Sequence, residues 1–238
     1  MATFVIVHGA WGGAWSWNRF IVPLLREAGH DARAVTLTGL GERSHLASPD
    51  VDLDTHVQDV ANVLFHEDLH QVVLVGHSYG GMVITGVADR CPERLSQLVY
   101  LDAAVPSDGM SISDQFGPER RQELIDRAQR DGDGWLLPPG PMQGDDPPEI
   151  VEWGRPRRHA QPLKTFTQPL RLARGETILP RAFVYCAVGK VVGSPAAERA
   201  RRLQADPRWR YFELSTGHNL HYSAPKETVE ILLELAGR

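Results

Sequence analysis

Three stretches of the chain carry side chains that together could activate a hydroxyl. The first is Val72-Val73-Leu74-Val75-Gly76-His77-Ser78-Tyr79-Gly80-Gly81. Its four leading residues are apolar and mostly β-branched, which reads as a buried strand. The run from Met82 to Ala88 reads as a helix. Gly-x-Ser-x-Gly between a strand and a helix is the setting of a nucleophile elbow. A sharp turn there lifts the Ser78 hydroxyl clear of the sheet, with the unpaired N–H groups of a helix start behind it. The glycines carry no Cβ, so strand and helix can pass closely beneath the serine. The plainer alternative is an ordinary Gly-rich turn with a serine cap, and the flanking strand and helix weigh against it.

A serine hydroxyl is a weak nucleophile without a base. The second stretch, Ser215-Thr216-Gly217-His218, offers one late in the chain, after a strand and before the last helix. His221 is the competitor, but it falls further on, at the helix entrance. Acyl transfer also needs donors where negative charge develops on oxygen, and one such donor lowers the barrier by roughly 3 kcal/mol. The N–H of Tyr79, next after the serine, is one candidate. The third stretch, His8-Gly9-Ala10, follows the first strand and offers the N–H of Ala10. His8 reads as a residue that orients this turn.

These groups need a scaffold. Thr3–Val7, Asp31–Leu37, the elbow strand, Leu98–Leu101, Ala182–Cys186 and Trp209–Leu214 read as strands. Trp17, Phe20, Ile21, Leu24 and Leu25 recur at helical spacing, with Pro23 awkward unless it lies in a first turn or at a kink. Asp54 reads as the cap of a helix bearing Val57, Val60, Ala61 and Leu64. Thr38 to Pro49 reads as a long polar loop. Ala196–Gln204 and a final helix with Pro225 at its first position follow later. Alternating strand and helix predicts an α/β fold: a six-stranded, mostly parallel sheet with helices on both faces. Ligands on such sheets sit beyond the carboxyl ends of the strands, where Ser78, His8, Asp102 and His218 would all fall. From Ser107 the texture changes to dense Pro, Gly and charge, with Arg120–Arg130 as one amphipathic helix. The expected division is a core of residues 1–106 and 176–238 and a mainly helical cap insertion of 107–175.

The 238 residues carry 25 Lys and Arg against 30 Asp and Glu, a formal charge of −5. That balance makes no case for nucleic acid or an anionic membrane as partner. The basic run Arg155 to His159 reads as a solvated face. Cys91 and Cys186 give no disulfide framework, and Cys186 reads as a small buried hydrophobe. Met1–Val7 lacks the basic start of a signal peptide, and no run approaches a membrane span. A cytoplasmic protein is expected. The oligomeric state is open, with a homodimer among the options.

Val7-His8-Gly9-Ala10-Trp11-Gly12-Gly13-Ala14-Trp15-Ser16-Trp17, with Gly76–Gly81 and Gly217-His218, resembles the α/β-hydrolase superfamily. More narrowly it resembles the branch of plant methylesterases, salicylate-binding esterases, hydroxynitrile lyases and small bacterial esterases. The resemblance spans nearly the whole chain. It implies Ser78 as nucleophile and His218 as base, with the N–H groups of Ala10 and Tyr79 as oxyanion donors. It implies no cofactor and no metal.

Two departures stand out. Hydroxynitrile lyases of this branch carry Thr or Asn where Gly9 stands, and one group has Lys where Asn219 stands. A cyanohydrin lyase needs a polar side chain and a cation there, so ester hydrolysis is favoured. The family's usual acid follows the penultimate strand, but Cys186-Ala-Val-Gly-Lys190-Val-Val-Gly193 holds no Asp or Glu, and Lys190 falls about where the acid belongs. A histidine without an acid loses tautomer and orientation. Asp102, closing the strand after the elbow helix, is the candidate substitute, and Glu198 the second. Trp11, Tyr79, Phe116, Trp135, Trp153 and Phe166 are expected under the insertion, with Trp11, Phe116, Trp135 and Trp153 lining the substrate pocket. The resulting expectation is a serine carboxylesterase for small to medium apolar or aromatic esters, its partner a small-molecule ester. The alternatives are a lactone or thioester hydrolase, a hydroxynitrile lyase, or a ligand receptor without turnover.

Overall fold

The apolar runs become strands that all point the same way. In the computed structural model, which describes residues 1–142 and 146–237, β1 (Thr3–Val7), β2 (Asp31–Val35), β3 (Val72–His77), β4 (Leu95–Leu101), β7 (Arg181–Cys186) and β8 (Trp209–Leu214) form one sheet. Its order is β2-β1-β3-β4-β7-β8, and every pairing in it is parallel. The remaining two strands, β5 (Leu136–Leu137) and β6 (Gln161–Pro162), pair only with each other, antiparallel.

Side chains alternate across a strand, so each strand feeds two cores. Phe4, Ile6, Val73, Val75, Val99 and Leu101 pack with α1 (Ala14–Phe20), α2 (Val22–Glu27) and α10 (Pro225–Ala236). Val5, Val7, Leu74, Leu98 and Tyr100 face the opposite layer with α3 (Leu53–His66), α4 (Gly80–Arg90) and α8 (Pro195–Ala205). Each fully buried Val, Leu or Ile contributes about 1.5–3 kcal/mol. With both faces covered, the carboxyl ends of the central strands are held as fixed platforms. Between β4 and β7 lie α5 (Pro118–Asp131), α6 (Pro148–Gly154), α7 (Lys164–Thr167) and the β5–β6 pair. A short α9 (Leu220–Ser223) precedes α10.

Local differences from the sequence pattern have local causes. The stretch expected as one helix through Leu25 is two, broken at Ile21, with Pro23 in the first turn of α2. Proline has no N–H, and the start of a helix is where none is needed. The cap of α3 is Asp52, not Asp54: its carboxylate accepts from the Thr55 N–H at 2.9 Å, completing a capping box. Asp54 instead accepts from Gln168. β2 ends at Val35 because the next residues bond away from the sheet. The Thr36 hydroxyl accepts from the Ala14 N–H and the Leu37 N–H donates to His8. Within the polar loop, Gly41–Leu46 winds into a 3₁₀ turn. Among the described residues, no helix is long and apolar enough to cross a membrane.

Candidate active site

The elbow depends on close backbone packing. A Cβ on Gly76 would lie 2.7 Å from the Gly80 carbonyl oxygen, and one on Gly80 would lie 2.6 Å from that of Val7. Neither contact is tolerable, so the glycines let β3, α4 and β1 converge under one residue. That residue, Ser78, has φ 53°, a left-handed conformation that costs a non-glycine residue of order 1–3 kcal/mol and gathers at functional sites. Two bonds fix the turn: the Ser78 N–H donates to Leu101 O at 3.2 Å, and Ser78 O accepts from Ala104 N at 2.9 Å.

The Ser78 hydroxyl meets His218 Nε2 at 2.9 Å, and His218 Nδ1 meets Asp102 Oδ2 at 2.6 Å. A carboxylate only accepts, so Nδ1 carries the proton and Nε2 is left to accept from the serine. Asp102 is 3% exposed. It also sits at positive φ, 43°, one residue past β4 and beside the elbow. Its Oδ2 accepts a second bond, from Lys190 Nζ at 2.6 Å. Burial works to raise the Asp102 carboxyl, but the hydrogen bond and charge of His218 and the charge of Lys190 outweigh it and hold it well below the usual carboxylate range. Glu198 lies on the surface of α8, paired with Arg201 at 3.0 Å.

Neighbouring histidines hold this arrangement in place. His77 Nε2 donates to the His218 carbonyl at 2.8 Å, and burial, helped by nearby His218, pushes its pKa down to about 3. His8 donates from Nδ1 to Gly9 O at 2.7 Å and accepts the Leu37 N–H at Nε2; burial lowers its pKa to about 4. His56 donates to Thr38 O and accepts the Tyr79 hydroxyl, and burial lowers it likewise to about 4. His221 stacks on Trp17 with ring centroids 4.4 Å apart, and burial takes it well below its ordinary value. None of these four hydrogen-bonds the Ser78 hydroxyl, which His218 engages.

The turn after β1 presses directly on the serine. A Cβ on Gly9 would stand 3.1 Å from Ser78 Cβ and 2.9 Å from His77 Nδ1. The N–H groups of Ala10 and Tyr79 donate to no protein group among the described residues. Trp11, at φ 60°, anchors the turn outward: its N–H donates to Gln161 and its indole N–H to Leu137 O, both at 2.9 Å.

Above Ser78 opens a cavity of about 320 Å³. Trp11, Ala104, Ile112, Phe116 and Met142 give it apolar walls. Of the four aromatics expected to line it, Trp11 and Phe116 do, and Trp135 and Trp153 do not. Trp153 packs edge-on against Trp15 at 5.0 Å, under the guanidinium of Arg19. Trp135 precedes β5, its carbonyl accepting from Leu163. Tyr79 and Phe166 are buried and stack on each other beneath the site. Sequence reasoning missed Arg158 and Arg199, which line the cavity. Arg158 belongs to the run expected as a solvated face; Arg155 and Arg157 are exposed, but Arg158 turns inward over Trp11. No pattern in the sequence signals that turn. Asn219 donates to both carboxylate oxygens of Asp146, at 3.0 and 2.8 Å, tying the residue after His218 to the β4–β7 segment.

A serine raised on a strand–turn–helix, over the carboxyl ends of a parallel sheet covered on both faces, defines a class of enzyme scaffold. The chain belongs to the alpha/beta hydrolase family, whose model matches residues 4–231. It is similar to a carbendazim hydrolyzing esterase of Nocardioides sp. (strain SG-4G), 38% identical over 243 residues, covering 99% of this chain and all of that one. It is similar to methylesterase 3 of Arabidopsis thaliana, 27% identical over 98% of this chain and 95% of the relative. Its fold matches a solved extracellular alpha/beta-hydrolase of a Paenibacillus species, described as sharing homology with tobacco salicylic acid binding protein 2. That match has a TM-score of 0.87 at 22% identity over 98% of each chain. The chain is an enzyme, a hydrolase of the esterase type.

Proposed function

We propose that this enzyme is a serine carboxylesterase that cleaves small to medium apolar or aromatic esters through an acyl-enzyme. The observation that carries the reading is the unbroken line from Ser78 Oγ through His218 to Asp102, at 2.9 and 2.6 Å. Ser78 attacks the ester carbonyl while His218 Nε2 takes its proton. Asp102 stays ionised, keeps the proton on Nδ1 and stabilises the imidazolium that forms. The N–H groups of Ala10 and Tyr79 receive the oxyanion. His218 then returns the proton to the leaving alkoxide, and a water activated by the same imidazole releases the acid. The cavity walls support an apolar or flat aromatic ester, and similarity to the carbendazim esterase makes carbendazim a first natural-type substrate to assay.

The test combines turnover with labelling. p-Nitrophenyl acetate is expected to give a burst of p-nitrophenol equal to the enzyme concentration, followed by steady turnover. An organophosphate is expected to stop both and to add its phosphoryl mass to the peptide containing Ser78. A chain that binds esters without a burst, or is labelled elsewhere, is not this enzyme. Mandelonitrile is expected to release no cyanide above background, since Gly9 offers no side chain to its hydroxyl and Asn219 is bonded to Asp146.

A further inference from the structure

Lys190 occupies the turn after β7, with its ammonium against a buried carboxylate that already serves a histidine. Asp102 Oδ2 receives both Lys190 Nζ and His218 Nδ1 at 2.6 Å, while Oδ1 is buried with no hydrogen-bond partner among the described residues. The carboxylate side chain is 1% exposed and that of Lys190 19%. A partner on one oxygen only fixes which oxygen faces the imidazole. The turn has lost the usual acid, and Lys190 connects it to the substitute contributed by β4.

We propose that Lys190 is a positioning residue that orients Asp102 toward His218. The inference rests on His218 acting as the general base. Among the described residues, no other cationic side chain hydrogen-bonds the Asp102 carboxylate. His77 from β3, His8 from the turn after β1 and His221 from α9 are held neutral by burial. Arg199 of α8 lines the same cavity and adds positive charge, but it has no hydrogen bond to Asp102 or His218. Arg158 and Asp146, from the β4–β7 segment, bond Gly140 O and Asn219 respectively.

In Lys190→Met, kcat for a neutral ester is expected to fall about tenfold with KM little changed, and Lys190→Arg, which keeps the cation, to stay near the parent. Turnover is compared only where circular dichroism shows each variant folded, and Lys190→Gln supplies the neutral side chain if the methionine variant does not fold. A kcat that stays at the parent's level in the neutral variants overturns the inference. So does a kcat lowered equally by Met and Arg, which marks a packing role. Either result leaves the esterase reading intact if Ser78 in the parent still takes the organophosphate; failure of that labelling overturns the reading itself.

Discussion

The Ser78→Ala variant is expected to fold like the parent and to turn over p-nitrophenyl acetate about 10⁶-fold more slowly, the scale of losing a triad nucleophile. Among the described residues the side-chain hydroxyl makes one hydrogen bond, to His218, so its removal leaves the elbow's backbone bonds untouched. Alanine meets the same left-handed φ of 53° as serine, so the strain does not change appreciably. The thermal midpoint should therefore hold while the burst and the organophosphate label vanish together. Substrate binding should persist, since the cavity walls are unaltered. Residual turnover within tenfold of the parent would mean that another side chain attacks the ester.

Asp102→Asn is expected to lower kcat about 10⁴-fold with little change in KM. The amide keeps the shape of the carboxylate but can present an N–H to His218 Nδ1. The ring then turns its own proton toward Ser78, the wrong tautomer for a base. Asparagine also brings no charge to steady the imidazolium. A second effect separates this site from an ordinary surface aspartate: Lys190 keeps its charge and loses its counter-ion, so the urea midpoint should fall as well. Glu198→Gln is the control, since that carboxylate only pairs with Arg201 on the surface of α8. Near-full activity in Asp102→Asn removes Asp102 from the mechanism.

The sheet was legible because its signal is local. Val72–Val75 is short, apolar and mostly β-branched, which reads as a buried strand, and Gly76, Gly80 and Gly81 announce how tightly the next helix must pass. Asp102 was singled out for a different reason: the turn 187–193 has no carboxylate, and the structure sets the Asp102 carboxylate 2.6 Å from His218 Nδ1. Cap position was harder. Asp52 and Asp54 are chemically alike, and a two-residue difference depends on where the chain enters from the preceding loop. The cavity walls were hardest. Trp11 and Trp153 have the same side chain, but one lies on a turn pinned to Ser78, and the other is claimed by Trp15, Phe20 and Arg19. Arg158 turns inward for similar non-local reasons. Sequence patterns fix which residues are apolar, and only the fold decides which apolar surface stays open.

The cluster of buried histidines is expected to make the molecule acid-labile. An unfolded chain takes up protons on these rings below about pH 6.5, whereas His8 and His56 refuse them down to about 4 and His77 down to about 3. Proton uptake on unfolding means stability rises with pH through that window and is lost as pH falls through it. At pH 5 each such ring favours the unfolded chain by about 2 kcal/mol relative to neutral pH. Three of them together reach the lower end of the 5–15 kcal/mol that holds a typical domain. Melting temperatures are expected to drop steeply between about pH 6.5 and 5, in Ser78→Ala as much as in the parent. In an acidifying medium the fold is then expected to be lost, and activity with it.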